Sequence, residues 1–413
     1  MKVLALGGPG AMGAVAVRTA ATLTGVREIV VADRDLVAAS KLAQELSGAG
    51  IPIRPRRVDV TDKVELYAAL EDTDVVLNTV GPYYRFGLTV LRAAIDTRTH
   101  YVDICDDWEP TLQMLELDAE ARAAGVCAVV GMGASPGISN LLAARAVREL
   151  DSVDDLYTAW PVDVPGAGDQ VDADAQLAGP AGPTTAAVHW MQQISGTVAV
   201  VHGGTLIRQA PLRPVTLSLP GRRRGTAYTV GHPEPVTLHR SHSPSGNAAN
   251  LMVITPGTVA YLDVLRSDID RGRLTNESAA ADLAKPTLRR ALRSMARATK
   301  FASPGSLPLF FAAATGAKGN AHLTVLAHLA GGSEVNSPTS SLMANMAEAT
   351  GIPLALGLSQ LVDGTAASPG VHAPETVIDP DRFFQDLDLV IGRGTGRGSV
   401  LVECALTETL PRP

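Results

Sequence analysis

Gly8, Gly10 and Gly13 are the first residues in the chain whose spacing implies chemistry. They form G-x-G-x-x-G between an apolar strand and a helical run, and Asp33 closes the next apolar strand twenty residues after Gly13. This is the layout of a dinucleotide-binding βαβ unit. Gly8 is expected to permit the tight turn, Gly10 to let backbone approach a pyrophosphate, and Gly13 to let helix and strand pack closely. Ala11 and Met12 open the helix, where unbonded N–H groups and the helix dipole favour negative charge. A carboxylate at Asp33 accepts hydrogen bonds from ribose hydroxyls and repels a 2′-phosphate, which favours NAD. Arg34 follows it, and a guanidinium there accommodates a 2′-phosphate by fork-like pairing. NAD is therefore the first expectation and NADP the second.

Further candidates follow at the ends of later apolar runs. Asp59 and Val60 end the third strand, and Asn78, Thr79, Gly81 and Pro82 end the fourth. These are expected on the cofactor side, because open α/β sheets bind ligands at the carboxyl ends of their strands. Tyr83 joins them as a residue beside the nicotinamide ribose, with a plain structural turn as the other reading. Asp103-Ile-Cys-Asp-Asp-Trp108 follows the fifth strand. Asp106 and Trp108 offer an ammonium group charge pairing and a cation–π contact. Equally, Asp106 or Asp107 caps a helix starting near Glu109. Asp103 alternates with Tyr101 and Val102 and fits a structural hydrogen-bonding role, while Cys105 reads as pocket lining. Ser135, before Pro136-Gly137, is either a helix N-cap or part of a turn whose N–H groups hold an α-carboxylate. The nine histidines lack metal-ligand spacing, so no metal is expected. His232, His239 and His242, with Arg208, Arg213 and Arg240, are weaker candidates in the middle of the chain.

These groups need elements to position them. Strands are expected at 2–7, 27–33, 51–60, 74–80, 100–104 and 126–130, with helices between them over 36–46, 63–70, 86–96 and 109–124. Such alternation predicts a doubly wound parallel sheet, an α/β Rossmann domain. After residue 135 the pattern changes. A helix over 139–150 leads to a Gly-, Pro-, Asp- and Ala-rich stretch over 151–181. Strand-like pieces follow at 198–201, 205–208, 216–219, 228–230 and 236–238. A helical section spans 279–298, and 309–315 pairs with 322–329 as a hairpin. Helices over 340–349 and 354–361 and the segment 381–387 complete the chain. The middle reads as an α+β domain with antiparallel strands.

The bulk numbers bound the class. At 413 residues, with 46% hydrophobic and 19% charged residues, the chain supports two cored domains and is not a disordered protein. A net charge of −7 argues against a nucleic-acid partner, and Arg222-Arg-Arg224 reads as a solvated hairpin turn. Three cysteines without redox or metal spacing suggest reduced thiols. A strand beginning at residue 2 leaves no room for a signal peptide, and glycines and prolines break the uncharged run 126–144. A cytoplasmic protein without a membrane partner is expected.

Several segments resemble the saccharopine dehydrogenase family, in its bacterial reductase-like branch. They are Asn78-Thr-Val-Gly-Pro-Tyr-Tyr-Arg-Phe-Gly87, Thr99-His-Tyr-Val-Asp103, Gly133-Ala-Ser-Pro-Gly137 running on to Asn140, and Gly370-Val-His-Ala-Pro-Glu-Thr. The resemblance implies a dinucleotide-binding domain over 1–135 and an inserted α+β substrate and dimerisation domain over 136–337. A C-terminal segment over 338–413 would return to the first domain. It further implies a homodimer that oxidises an amine or reduces an imine on a small amino-acid-like substrate. An alcohol or aldehyde oxidoreductase on the same scaffold, and a non-catalytic nucleotide-binding scaffold, remain open at this point.

Overall fold

The computed structural model describes residues 1–163, 178–179, 182–331, 337–392 and 400–407. Of the Gly-, Pro-, Asp- and Ala-rich stretch 151–181, residues 164–177 and 180–181 lie outside the described residues. The chain divides into two compact units, Met1–Leu141 with Asn345–Ser399, and Leu142–Ala344 with Val400–Pro413.

The first unit is built on strands β1 Lys2–Leu6, β2 Glu28–Asp33, β3 Ile53–Arg57, β4 Val75–Asn78, β5 His100–Asp103 and β6 Cys127–Val129. All pair in parallel, and a seventh strand, Gly370–His372, adds beyond β6. The order is Gly370–His372, β6, β5, β4, β1, β2, β3, so the chain reverses direction across the sheet between β1 and β4. That switch point is where such sheets leave a crevice for a ligand. The strands are near-continuous Val, Ile, Leu and Ala because both faces are covered, and Val3, Ile29, Val75, Val76 and Leu77 are fully buried.

Helices α1 Ala11–Ala20, α2 Leu36–Glu45, α3 Lys63–Leu70, α4 Tyr83–Asp96, α5 Trp108–Leu115, α6 Asp118–Ala124 and α7 Ile138–Val147 connect or follow the strands. Asp35 and Asp62 start α2 and α3 as side-chain caps, each accepting from two first-turn N–H groups. The expected single helix over 109–124 is two, because the Leu117 N–H turns to the carbonyl of Met114 and a new helix starts at Asp118. β3 stops at Arg57, short of Asp59, whose N–H is taken by the Glu65 carboxylate.

The C-terminal helix Met346–Val362 packs along α1, and a Cβ on Gly351 would stand 2.5 Å from the Met12 carbonyl, so only glycine allows this approach. Asn345 caps it through the N–H groups of Ala347 and Glu348, which separates it from Pro338–Ala344. Two motifs far apart in sequence then meet. The Asn140 amide donates to Glu375 Oε2 at 2.8 Å, while Val130 N–H donates to the His372 carbonyl.

The second unit is a nine-stranded mixed sheet among the described residues. Its order is Thr205–Gln209, Val198–His202, Ala248–Val253, Ser152–Pro161, Phe311–Lys318, Ala321–Leu329, Val400–Leu406. The hairpin Pro214–Leu219/Arg223–Thr229 attaches to Ala248–Val253. Ala248–Val253 runs parallel to Ser152–Pro161, so the sheet is not wholly antiparallel. Strand alternation sends Met252 into one core with Tyr228, Val259 and Leu262, and Leu251 and Val253 into another with Phe311 and Leu326.

Three expectations are corrected in this unit. Residues 236–238 lie inside the helix Glu234–His242, whose first turn carries Pro235. The section 279–298 is two helices, Asn276–Ala284 and Leu288–Ala298, with Pro286 between them. The end of the 338–413 segment does not return to the first unit: Val400–Leu406 pairs antiparallel with Ala321–Leu329, where Arg223 reaches Glu403 at 2.9 Å.

Truncating Asn140 removes the donor that Glu375 faces from 235 residues away. Asn140→Ala is expected to lower stability by about 1–3 kcal/mol, the worth of a partly buried hydrogen bond to a charged group. Urea unfolding checks this, and an unchanged midpoint would show that the contact contributes nothing.

Candidate functional site

The turn after β1 is built from backbone. Gly7, not Gly8, adopts the left-handed conformation (φ +72°), and its N–H donates to the Ala32 carbonyl at 2.9 Å. Glycine takes this conformation at no steric cost, and a Cβ here would also stand 2.9 Å from Thr79 Oγ1. Gly8 lies in the same turn without positive φ, where a Cβ would stand 3.0 Å from the Ala5 carbonyl. Gly10 caps α1 by position, and a Cβ there would stand 3.2 Å from the Gly7 carbonyl. A Cβ on Gly13 would stand 2.5 Å from the same oxygen and 2.8 Å from Thr79 Oγ1. Gly13 therefore lets α1 start close against the loop. Among the described residues the N–H groups of Ala11, Met12 and Gly13 meet no acceptor, since the first helical bond in the turn is Ala14 N–H to the Gly10 carbonyl. Three aligned donors at a helix start, over a cradle that side chains would fill, fit a pyrophosphate.

At the end of β2, half-buried Asp33 accepts from Asp35 N–H at 2.9 Å through Oδ1, which fixes the turn. Arg34 is exposed and forms no ion pair among the described residues. Arg57 lies opposite Asp33 on β3 and pairs with Glu65. Asp59 accepts from the Thr61 hydroxyl and N–H, and those bonds, with the charges of Arg57 and Arg34, hold its carboxyl below the usual range. The ends of β2 and β3 thus mix the guanidiniums of Arg34 and Arg57 with the carboxylates of Asp33, Asp35, Asp59 and Glu65. The side chain of Val60 is buried.

β4 ends in residues that brace the sheet. Both the N–H and the hydroxyl of Thr79 donate to the Leu6 carbonyl, at 2.9 and 3.0 Å. Asn78 is fully buried, donating to Tyr101 Oη at 3.0 Å and accepting from Val80 N–H. Gly81 is exposed and Pro82 half-buried. Helix α4 begins at Tyr83, three residues earlier than expected, and turns that side chain inward. The Tyr83 hydroxyl donates to the Asn78 carbonyl at 2.8 Å and accepts from Ile104 N–H. Burial pushes its pKa well up, with the Asp103 charge adding to the effect. In this structure Tyr83 is a strut between the ends of β4 and β5.

Asp103 is the node of this region. Its Oδ2 accepts from Tyr101 Oη at 2.6 Å, and its Oδ1 accepts from the N–H groups of Cys105 at 3.0 Å and Gly131 at 2.7 Å. Its own carbonyl accepts from Met132 N–H. Burial raises the Asp103 pKa to about 6, with the three hydrogen bonds opposing and the Asp106 charge adding. Cys105 is buried among these groups, and its thiol is pushed well up, so it holds no thiolate.

Asp106 and Trp108 are half-buried in the segment that follows. Asp107, not Asp106, holds the N-cap position of α5. It acts through its carbonyl, which accepts from Thr111 N–H and hydroxyl, rather than through a side-chain cap.

Ser135 lies outside the cap position, because α7 starts only at Ile138. The N–H groups there are already engaged. Gly137 donates to Asn140 Oδ1, Ile138 to the Gly133 carbonyl and Ser139 to the Ala134 carbonyl. The expected use of this helix start as a carboxylate site is therefore corrected, since no N–H of these three is open to a ligand. The other sequence candidates of this unit all fall at the carboxyl ends of β1 to β6.

In the second unit a polar cluster surrounds His232. Glu234 Oε1 and Thr158 Oγ1 both accept from the Asn250 amide, at 2.8 and 3.0 Å, and Trp160 Nε1 donates to Asn250 Oδ1. His232 Nδ1 stands 3.6 Å from Glu234 Oε2, and its ring lies 5.5 Å from that of Trp160. Sequence reading singled out His232 alone, since Thr158, Trp160 and Asn250 sit on two strands it did not find. Arg208, Arg213 and Arg240 are exposed. Tyr101 and Gly7 were also missed. Gly7 had a legible signal, a glycine directly after an apolar strand.

Because the Asp103 pKa is raised above its unfolded value near 4, its contribution to stability is fullest below about pH 4 and is lost as pH rises through about 6. The loss is on the order of 3 kcal/mol. Asp103→Asn abolishes this titration. The stability of the wild type minus that of the variant, from urea unfolding, should fall as pH rises across this window, and a flat difference would sink the assignment.

Comparison with known proteins agrees with this geometry. Residues 3–129 match the family described as the saccharopine dehydrogenase NADP binding domain. Over 123 residues the chain is 31% identical to a saccharopine dehydrogenase (NADP(+), L-glutamate-forming) of Pyricularia oryzae. Over 122 residues it is 31% identical to the enzyme of the same name from Saccharomyces cerevisiae. Each alignment covers 30% of this chain and a quarter (25%) of the relative's length. The solved apo saccharopine dehydrogenase (L-Glu forming) of Saccharomyces cerevisiae superposes with a TM-score of 0.63 at 17% identity, over 98% of this chain and 99% of that one. It shares the fold. Residues 3–129 are thus similar to the nucleotide-binding domain of the saccharopine dehydrogenase family, and the alignments span about a quarter of the curated relatives' length.

Proposed function

We propose that this protein is an NADP-dependent oxidoreductase that acts at a carbon–nitrogen bond of a small amino-acid-derived substrate. The observation that carries the reading is the combination of three N–H groups at Ala11–Gly13 and a guanidinium at Arg34 that meet no partner among the described residues. The first suits a pyrophosphate, and the second suits a 2′-phosphate on the adenosine ribose. This reverses the order of cofactors expected from Asp33 alone, in line with the domain name of the family and the names of the relatives. Asp33 has one oxygen committed to its own turn, and Arg57 opposite it is paired with Glu65, so Arg34 is the guanidinium offered to a 2′-phosphate.

The nicotinamide, when bound, supplies the hydride chemistry. The protein's part is to bind, orient and set charge. Gly81 and Pro82 border the nicotinamide side at the end of β4, held in place by Asn78 and Tyr83 behind them. Asp106 and Trp108 receive the substrate ammonium, the first by charge and the second by its ring face. Ser135 lines the substrate side. The relatives are named for saccharopine as substrate and L-glutamate as product, and the acidic segment after β5 agrees with the cationic nitrogen of an amino-acid-derived substrate.

Titration with NADPH and NADH, followed by nicotinamide fluorescence, tests the cofactor half. NADPH should bind more tightly, and Arg34→Ala should weaken NADPH roughly tenfold while leaving NADH nearly unchanged. Binding of neither cofactor overturns the proposal. For the substrate half, Asp106→Ala should raise KM for an amine substrate with little change in NADPH binding. An unchanged KM would remove Asp106 from the site.

A further inference from the structure

The helix Leu288–Ala298 is turned inside out. Three of its four arginines face the protein: Arg290 and Arg293 bind Asp268, Arg290 also binds Asp282, and Arg297 binds Asp263. The first two acids are buried, and the arginine bonds hold the Asp268 carboxyl far below its usual range. The large apolar side chains face out, with Leu288 76%, Leu292 57% and Met295 70% exposed. Their spacing of four and three residues puts them on one helical stripe. The sequence from Lys285 to Lys300 contains six cations and no acid, in a chain of net charge −7. Three of the six are used inward. Lys285, Arg289 and Lys300 remain exposed around the stripe and meet no acid among the described residues.

We propose that this face binds the surface of an anionic lipid bilayer. A stripe of Leu and Met rimmed by Lys and Arg is suited to lie at the boundary of headgroups and acyl chains, with the long cationic side chains reaching to the phosphates. Charge decides against a second copy of this chain. A two-fold contact would set the face against itself and bring Lys285, Arg289 and Lys300 onto their own kind with no acid to offset them. The stripe also lacks the Trp and Tyr anchors that concentrate binding energy in protein interfaces. No helix of the described residues is long and apolar enough to cross a membrane, so the attachment is peripheral. With one short helix and three cations it is reversible and sensitive to salt.

The test is flotation of the full-length protein with vesicles of phosphatidylcholine alone and of phosphatidylcholine mixed with phosphatidylglycerol. Binding is expected only to the mixed vesicles, and high salt should release it. Leu288→Ser with Leu292→Ser should abolish binding, and Lys285→Gln with Arg289→Gln should weaken it roughly tenfold or more. All four side chains are exposed, so cofactor binding and the unfolding midpoint should stay at wild-type values. Absence of binding to the mixed vesicles overturns the proposal, as does binding that these variants leave unchanged. A wild-type dimer in sedimentation that Leu292→Ser makes monomeric assigns the face to a second copy and also overturns it.

Discussion

A single buried carboxylate holds the strand ends of the first unit in register. Asp103 gathers Tyr101 Oη and the N–H groups of Cys105 and Gly131, and Tyr101 passes the connection on to Asn78 at the end of β4. Tyr83 closes the other side through the Asn78 carbonyl and Ile104 N–H. Burying the charge is costly, and the three hydrogen bonds offset only part of it, which is why the carboxyl titrates near 6. The same bonds fix where the chain leaves β4, β5 and β6, and so where Gly81, Pro82, Asp106 and Ser135 stand.

The phosphate end depends on the opposite condition, the absence of side chains. Between Gly7 and Gly13 the carbonyls approach so closely that a Cβ at Gly13 would collide with backbone. That closeness leaves three N–H groups pointing away from any internal acceptor. A cradle of bare backbone and a knot held by a buried acid thus share one sheet edge. The first is open because nothing fills it, and the second is rigid because everything in it is bonded.

The first unit was largely legible. β1, β2 and α3 fall where apolar runs and an Asp cap put them, since a parallel sheet covered on both faces needs continuous Val, Ile and Leu. The second unit was not. Ser152–Pro161 and Ala248–Val253 carry Thr158 and Asn250 facing a polar cluster, which breaks the apolar signal of a buried strand. Val236–Leu238 reads as strand by composition and is helix by context, because Pro233 and Pro235 start a turn that the following residues extend.

By itself the sequence determined the nucleotide-binding βαβ unit, the alternation of strands and helices, and which residues lie at strand ends. Those follow from local spacing and from the short-range geometry of glycine. Only the tertiary structure decided what each of these residues does with its polar atoms. It closed the helix start after Ser135 with the Gly133 and Ala134 carbonyls and the Asn140 side chain, and left the one at Ala11 open. It also turned Tyr83 inward and brought Glu375 to Asn140 across 235 residues. Hydrogen-bond partners are chosen by three-dimensional proximity, and no pattern along the chain records a choice made between residues so far apart.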